Sequence, residues 1–326
     1  MQSIAKDPAM RAVMMFEFGG PEVLEVRHVP DPVPGSGQVL VAVEFAGVVF
    51  VETQIRGGRG PAAKNRPPLP RTPGNGVGGM IVAVGPDVDP ALRGTVVVTP
   101  TGGTGGYAEF ALAAVGDLVP VPAGLELRDA VALLSDGRTA LLVHQQVQVQ
   151  PGERVLVTAA GGGLGGLLVQ LAADAGAHVI GAARGSEKGG LVESLGARHY
   201  VDYAQPDWAR QVTEATDGAG VDVVLDGVGG ELGTIALSLV RPGGRASIHG
   251  MASGTWAEAD EDKVTVVGGS VPTPAEARAL SIQALALAAE GRLRPVIGQT
   301  FPLADAAAAH RAIETRATTG KTLLVP

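Results

Sequence analysis

A glycine-rich segment between an apolar run and a helical run limits what this chain can fold into. Residues 157–170 read VTAAGGGLGGLLVQ, with five glycines in six positions. Glycine is costly to order, so such a cluster indicates a turn that is tight or that a ligand approaches closely. Apolar strands alternate with helical segments around it, from residue 125 to residue 272. This rhythm predicts a parallel sheet covered by helices on both faces.

The order strand, glycines, helix predicts that this loop binds a dinucleotide. Glycines let the backbone approach a pyrophosphate, and the helix N-terminus presents free N–H groups to it. A merely flexible turn is the alternative interpretation. Two registers fit the spacing: GxGxxG at Gly161, Gly163 and Gly166, or AxxGxxG at Ala159, Gly162 and Gly165.

The end of the next predicted strand bears on which dinucleotide is preferred. An NAD-preferring site usually has a carboxylate there, about 20 residues beyond the glycines, to bind the ribose 2′-hydroxyl. This chain has Arg184, Ser186 and Lys188 instead, with Glu187 as the opposing charge. Cations and a hydroxyl complement a 2′-phosphate, so we predict NADP(H) rather than NAD(H). The alternative is that these residues are ordinary solvated surface groups.

The chain divides into segments of different pattern. Residues 1–9 are expected to be a flexible tail. Residues 10–124 contain short Val-rich and aromatic runs separated by Gly and Pro, typical of an antiparallel barrel-like domain. The alternating segment, 125–272, forms the second domain. Residues 273–326, which begin with an alanine- and leucine-rich helix, are expected to return to the first domain.

Composition excludes several classes of protein. The chain has no cysteine, which excludes disulfides, thiolate zinc sites and a cysteine nucleophile. The formal net charge of −8 disfavours binding to nucleic acids or anionic membranes. No apolar stretch approaches the roughly 20 residues that span a bilayer, and the N-terminus lacks the apolar core of a signal peptide. We therefore expect a soluble, cytoplasmic protein.

Ordered motifs along nearly the whole chain resemble one known family. They are MRAVMMFEFGGPEVLEV, FVETQIRGG, GGYAEFA, DGRTALLV, VLVTAAGGGLGG, LGARHYVDY, VDVVLDGVGG and TGKTLLVP. The chain resembles the zinc-free quinone oxidoreductase (zeta-crystallin-like) branch of the medium-chain dehydrogenase/reductase superfamily. The resemblance implies an α/β fold, with a GroES-like β-barrel catalytic domain and a doubly wound Rossmann domain. It also implies NADPH bound between them and a homodimer formed through the edge of the Rossmann sheet.

The resemblance also implies which residues form the sites. Those against the pyrophosphate are Ala160, Gly162, Gly163, Leu164 and Gly165. Those near the 2′-phosphate are Lys188 and Tyr203, beside the Arg184 and Ser186 inferred above. Those where the cofactor passes the sheet edge are Gly227 and Val228. Those of the substrate and nicotinamide pocket are Val49, Thr139, Gly250, Met251 and Ala252.

Two departures from the family pattern concern the substrate pocket. The family reads GVNxxxTY where this chain reads GVVFVETQ, so Asn is replaced by Val49 and Tyr by Gln54. Candidate catalytic groups are Gln54, Asp136 and His249. Asp136 is alternatively the cap of a helix beginning at DGRTALLV, and His249 a structural hydrogen-bonding residue. The six histidines are scattered without paired spacing, so we expect no metal site.

Without zinc, the acceptor must stabilise its own developing charge. A quinone or an α,β-unsaturated carbonyl compound meets this requirement, whereas a simple aldehyde does not. We therefore predict NADPH-dependent reduction of a quinone or enone. One alternative is an enoyl reductase that acts on a polyketide-like or carrier-bound substrate. Another is a structural, regulatory or repurposed protein that binds NADPH without turning it over.

Overall fold

The computed structural model describes residues 9–60 and 63–326, and the chain divides into two compact units. The first combines the residues up to Ser135 with Ile297–Pro326, and the second is Asp136–Val296. The tail predicted for residues 1–9 lies outside the described residues except at Ala9, where the first strand begins.

The first unit is built from mostly antiparallel strands, which confirms the prediction for this half of the chain. β1 (Ala9–Met14) and β2 (Glu25–Pro30) form a two-stranded antiparallel pair. The strands of a second sheet are β3 (Gln38–Val48), β4 (Gly76–Val84), β5 (Val96–Pro100), β6 (Phe110–Ala114), β7 (Val119–Pro120), β14 (Ile297–Pro302) and β15 (Lys321–Val325). Their order is β14-β15-β3-β4-β5-β7, with β6 paired to β3.

Strand β3 contributes to two separate hydrophobic cores. Val39 and Val41 pack in one core, and Ala46 and Val48 pack in the other. The register against β4 shifts just after Val43. A bulge adds one residue to a strand and so changes which alternate positions face a given side. The bulge therefore explains why the buried positions of β3 are odd-numbered before the shift and even-numbered after it.

The C-terminal residues complete the first unit. α8 (Ala306–Glu314) follows β14, and its Ala309 and Ile313 pack in the same core as Val13 of β1 and Leu324 of β15. Among the described residues, the other α-helix that lies wholly in this unit is the short α1 (Phe50–Arg56), directly after β3. Residues 297–326, part of the segment expected to return to the first domain, thus belong to this unit.

The second unit contains a six-stranded parallel sheet. Its strands are β8 (Arg154–Thr158), β9 (His178–Ala183), β10 (His199–Asp202), β11 (Val221–Asp226), β12 (Val240–Ile248) and β13 (Thr265–Val266). Their order is β10-β9-β8-β11-β12-β13, and every neighbouring pair is parallel. The order reverses between β8 and β11, which is the switch point of a doubly wound fold, where ligands bind. The predicted fold class is confirmed.

Helices of this unit alternate with its strands. They are α3 (Gly163–Asp174), α4 (Gly189–Ser194), α5 (Trp208–Ala215), α6 (Gly230–Ser238) and α7 (Pro274–Ala289), together with the second part of α2 (Leu127–Val147), which begins in the first unit.

The compact units differ from the expected domain limits of 10–124 with 273–326 and 125–272. Helix α7 lies in the second unit. The reason is visible in its side-chain contacts: Gln145 Nε2 donates to Gln283 Oε1 at 3.3 Å. Just beyond α7, the amide of Gln170 on α3 both donates to and accepts from the backbone of Arg294, at 2.9 Å each way. These contacts attach the segment to the parallel sheet's helices.

Candidate cofactor site

The glycine loop forms a tight turn between β8 and α3. Ala159 has a positive φ of 52°, a conformation that is uncommon for residues other than glycine. Its carbonyl oxygen accepts a hydrogen bond from the Gly162 N–H at 2.9 Å. Gly162 is the N-cap of α3 and has no side chain to occupy the free N–H groups of the first helical turn. The loop therefore leaves those N–H groups available to an anionic ligand.

The packing of the glycines favours one of the two registers. A Cβ on Gly165 would lie 2.7 Å from the carbonyl carbon of Ala159, which is backbone and cannot give way. A Cβ on Gly161 or Gly166 would instead meet the ends of flexible side chains, Lys188 and Leu195, at 2.9 and 3.0 Å. Glycine is thus required by backbone packing at Gly165, as in AxxGxxG, and the sequence alone could not separate the two registers.

Lys188 lies against the glycine loop. Its side chain is only 8% exposed, and its Cδ atom occupies the space over Gly161 where a side chain would stand. Arg184 and Ser186 are exposed immediately after β9. Three predicted cofactor residues are therefore grouped between the ends of β8 and β9.

The turn after β9 is braced by two residues that the sequence analysis did not single out. Tyr200 donates a hydrogen bond to the carbonyl of Gly185, and Asp202 Oδ1 accepts from the Gly185 N–H at 2.9 Å. Burial acts to raise the pKa of Asp202, but hydrogen bonds from Gly185 and Ala204 lower it overall. Tyr203, the predicted residue, joins this turn through its backbone, donating to Ala183 at 3.1 Å. The alternation of the strand HYVD places Tyr200 and Asp202 on one face, which could have identified them.

A buried carboxylate ties the ends of β8 and β11 together. Asp226 is fully buried and accepts hydrogen bonds from Thr158 Oγ1 at 2.7 Å and from the N–H groups of Val228 and Gly229 at 3.0 Å. Thr158 Oγ1 in turn accepts from the Gly227 N–H at 3.0 Å. Burial raises the pKa of Asp226, and these hydrogen bonds oppose the rise. The predicted Gly227 and Val228 are thus held beside the glycine loop.

The segment after β12 meets the same turn. The N–H groups of His249 and Gly250 donate to the carbonyl of Asp226 at 2.9 and 3.2 Å, and that of Ala252 donates to Gly227 at 3.4 Å. A Cβ on Gly250 would lie 2.8 Å from the Gly227 carbonyl carbon, so this close approach requires glycine. The predicted residues Gly250, Met251 and Ala252 therefore lie at the carboxyl end of the sheet.

His249 is brought into this group of loops. A Cβ on Gly227 would lie 3.3 Å from its Nε2 atom and 3.8 Å from the Cβ of Ala159. Burial lowers the pKa of His249 to about 4, so the imidazole is neutral near pH 7. Its Nδ1 atom is buried and has no hydrogen-bond partner. An unpartnered buried polar atom is unfavourable, and a ligand bound at this end of the sheet could satisfy it.

Asp136 does not cap a helix, contrary to the cap interpretation. Helix α2 begins at Leu127, nine residues before Asp136, and runs through both Asp136 and Thr139. The apolar residues Leu133 and Leu141 continue the buried face across Gly137. A single glycine inside a helix costs only about 1 kcal/mol, which this burial outweighs.

In the first unit, Val49 and Gln54 lie at the start of α1 and within it. The Val49 N–H donates to Glu52 Oε2 at 3.1 Å, which fixes the N-terminus of the helix. Gln54 is 7% exposed, so its side chain is largely packed within this unit.

A buried polar chain begins at Glu52. Glu52 Oε2 accepts from the hydroxyl of Tyr107 at 2.6 Å, and that hydroxyl lies 3.1 Å from Nε2 of His310. Glu52 Oε1 and His310 Nδ1 are buried without partners. Burial raises the pKa of Glu52 and, with the charge of Arg56, lowers that of His310 to about 3. Glu52, which the sequence analysis did not single out, is therefore a buried residue of the first unit.

We expect His310 to make folding sensitive to acid. The folded pKa of about 3 lies below the usual value of 6.5, so the unfolded chain takes up the proton first as pH falls. Stability is complete above pH 6.5 and falls below it by up to about 1.4 kcal/mol per pH unit. Denaturant unfolding at pH 7.5 and 5.5 should show a shallower pH slope for His310→Gln than for the wild type. Equal slopes would contradict the prediction.

Comparison with known proteins places the chain in a family. Residues 35–123 match the alcohol dehydrogenase GroES-like domain, and residues 195–324 match the zinc-binding dehydrogenase family. The quinone oxidoreductase of Pseudomonas aeruginosa is 34% identical over 97% of this chain and 99% of that protein. The chain belongs to the zinc-free quinone oxidoreductase branch of the medium-chain dehydrogenase/reductase superfamily.

Other members of this superfamily branch and its relatives support the assignment. A 2-haloacrylate reductase from Burkholderia is 34% identical over 97% of this chain and 98% of that protein. The quinone oxidoreductase of Escherichia coli, solved in complex with NADPH, has a TM-score of 0.88 and 27% identity over 97% of this chain and all of that chain. The family resemblance stated from the sequence is therefore confirmed.

Two further properties concern metals and membranes. Within residues 9–60 and 63–326, no group of three or more His, Asp or Glu side chains is arranged to hold a metal ion. In the same ranges, no helix combines the length and the apolar character needed to cross a membrane.

Proposed function

We propose that this chain is an NADPH-dependent reductase that transfers hydride to a quinone or an α,β-unsaturated carbonyl compound without zinc. The observation that carries the proposal is the grouping of Lys188, Arg184 and Ser186 beside the glycine loop, where an NAD-preferring site has a carboxylate. The quinone oxidoreductases and the 2-haloacrylate reductase carry names from these two acceptor classes, and the Escherichia coli relative was solved with NADPH.

The chain supplies a fitting cradle for the cofactor. The loop residues Ala160, Gly162, Gly163, Leu164 and Gly165 would hold the pyrophosphate, because Gly165 packs on backbone and the first turn of α3 has free N–H groups. When bound, NADPH supplies the hydride, while the protein supplies binding and orientation.

His249 is proposed to position the nicotinamide end rather than to act as a charged acid. Its imidazole is neutral near pH 7 and offers one unpartnered buried nitrogen at the carboxyl end of β12. Gln54 and Asp136 stay as weaker candidates for proton transfer, and water is an equally suitable proton source. An acceptor that stabilises its own charge needs no Lewis acid from the protein.

The test is oxidation of NADPH and of NADH by the purified protein with a panel of quinones, enones and enoyl thioesters. Turnover of NADPH with quinones or enones supports the proposal. Turnover restricted to enoyl thioesters would replace it with the enoyl reductase alternative. Tight NADPH binding with no turnover on any acceptor would favour a protein that holds the cofactor for another purpose.

We expect the double variant Arg184→Ala/Lys188→Ala to lose NADPH affinity selectively. Each charge-assisted contact to a phosphate is worth about 1.5–3 kcal/mol, so the Kd for NADPH should rise about tenfold or more. The Kd for NADH should change little, because it has no 2′-phosphate. Arg210→Ala, which removes an exposed arginine of the same unit, is the matched control. Equal losses for NADPH and NADH would refute the preference.

We also propose a homodimer formed through the edge of the parallel sheet, and a cytoplasmic location. Strand β13, only two residues long, forms one edge of the sheet. Val266 within it is 45% exposed, and Trp256 and Val271, which lie before and after β13 in the sequence, are also exposed. Exposed apolar groups at an unpaired edge support pairing with a second copy. Light scattering of the wild type and of Val266→Lys tests the dimer, and cell fractionation tests the location.

A further inference from the structure

A cavity of about 160 Å³ lies at the amino ends of the strands of the parallel sheet, whereas the glycine loop lies at their carboxyl ends. It is formed where β8, β9 and β10 begin, together with the residues that follow α5. The side chains that matter here are Arg154, His178, Arg198, His199, Thr216 and Asp217. Strand β8 has four residue steps at about 3.3 Å each, so the cavity lies about 13 Å from the cofactor loop.

The strand register places three of these side chains on one face of the sheet. Arg154 lies directly opposite His178, and His199 lies opposite Ile180. Side chains two residues apart share a face, so His178 and Ile180 point the same way. Arg154, His178 and His199 are therefore neighbours on three adjacent strands, each able to donate hydrogen bonds into the same space.

The charges around the cavity are predominantly positive, although the chain carries a net charge of −8. Arg154 pairs with Asp222 at 3.2 Å, but Asp222 also pairs with Arg241. The two arginines and the one carboxylate together therefore carry one net positive charge. The guanidinium of Arg198 is exposed and makes no hydrogen bond or ion pair with the parts of the chain that the structure describes.

Two features of the cavity disfavour the binding of an anion, but each contributes little negative charge. Asp217 is the acidic residue that lines it. The last carbonyl groups of α5 carry partial negative charge, but Arg154 Nη1 already donates to the Thr216 carbonyl at 3.4 Å. Two arginines and two imidazoles thus face one carboxylate.

We propose that this cavity binds a small phosphate group, with Arg198, His178 and His199 as its donors. Sites for drug-sized ligands have volumes of about 300–1,000 Å³, so this one suits a single oxyanion or the phosphate end of a small ester. Arginine matches the geometry of phosphate oxygens, and the ring N–H groups of the two histidines add further donors. The site is separate from the proposed cofactor site and does not depend on it.

Calorimetric titration with inorganic phosphate, at constant ionic strength and with the cofactor loop saturated by NADPH, tests the proposal. Wild type should bind, and Arg198→Ala and His178→Ala/His199→Ala should each weaken binding about tenfold or more. The controls Arg311→Ala, an exposed arginine of the first unit, and Arg184→Ala/Lys188→Ala should retain it.

Glycerol phosphate, titrated in parallel, distinguishes a free ion from an ester as the preferred ligand. Binding that Arg198→Ala and His178→Ala/His199→Ala leave unchanged would overturn the proposal. So would binding that disappears when NADPH saturates the protein, or no binding by the wild type. None of these outcomes alters the oxidation assay, so failure here is distinguishable from failure of the proposed reductase function.

Discussion

Replacing Glu314 with alanine is expected to lower the free energy of unfolding by about 3–5 kcal/mol, because it leaves a buried cation without its partner. Arg56 is 1% exposed and forms an ion pair with Glu314, while its Nη1 atom donates to the Gly19 carbonyl at 3.0 Å. Burial lowers the pKa of Arg56 and Glu314 raises it, so the carboxylate is what keeps the buried charge tolerable. Denaturant unfolding at neutral pH measures the loss.

Two matched variants make this test specific. Arg59 pairs with the same Glu314 oxygen at 3.1 Å but is 62% exposed, so Arg59→Ala should cost less than about 1 kcal/mol. The double variant Arg56→Met/Glu314→Leu removes both charges and should recover most of the stability, since apolar replacements of a buried pair are often neutral. A loss equal to that of Glu314→Ala in this double variant would contradict the explanation.

Gly165→Ala is expected to weaken NADPH binding by about fivefold to 150-fold while leaving the parallel sheet folded. The added Cβ would come within 2.7 Å of the Ala159 carbonyl carbon and 3.0 Å of the Ala160 Cα, so the loop backbone must shift. Overpacking of this kind costs about 1–3 kcal/mol. When this cost falls only on the loop conformation that binds NADPH, it lowers the affinity by the corresponding factor. Fluorescence titration with NADPH provides the measurement.

The control for this variant is Gly190→Ala. Gly190 lies in α4 of the same unit, and a Cβ there would have no atom within 4 Å. It should bind NADPH as the wild type does and, as alanine favours helices, be slightly more stable. If Gly165→Ala also bound NADPH normally, the tight packing of the loop on Ala159 would not matter for the cofactor.

Local patterns predicted much of the fold. The apolar strands alternating with helices specified the parallel sheet, and the strand, glycines and helix specified where its loop lies. The alanine- and leucine-rich helix expected from residue 273 is α7, whose N-cap Thr273 accepts from the Glu276 N–H at 3.3 Å. These features depend on residues a few positions apart, which a single sequence displays directly.

What the sequence could not show depends on residues that are far apart in the chain. Glu52, Tyr107 and His310 form one buried chain although 55 and 203 residues separate the hydrogen-bonded pairs. Helix α2 continues through Gly137 because burial on both sides of it outweighs a weak helix former. Helix α7 belongs with the second unit because of the hydrogen bonds of that segment, which no local pattern encodes.

The hydrogen bonds of Asp226 have a consequence for how this enzyme could acquire new specificities. Its carboxylate and its carbonyl together orient the loops that follow β8, β11 and β12. A substitution in any one of these loops therefore disturbs the others, and few single changes there would be tolerated. Val49 and Gln54 belong to another unit and to none of these hydrogen bonds. If these two positions face the acceptor, as the family resemblance implies, selection for different acceptors should change them while the loops around Asp226 stay constant.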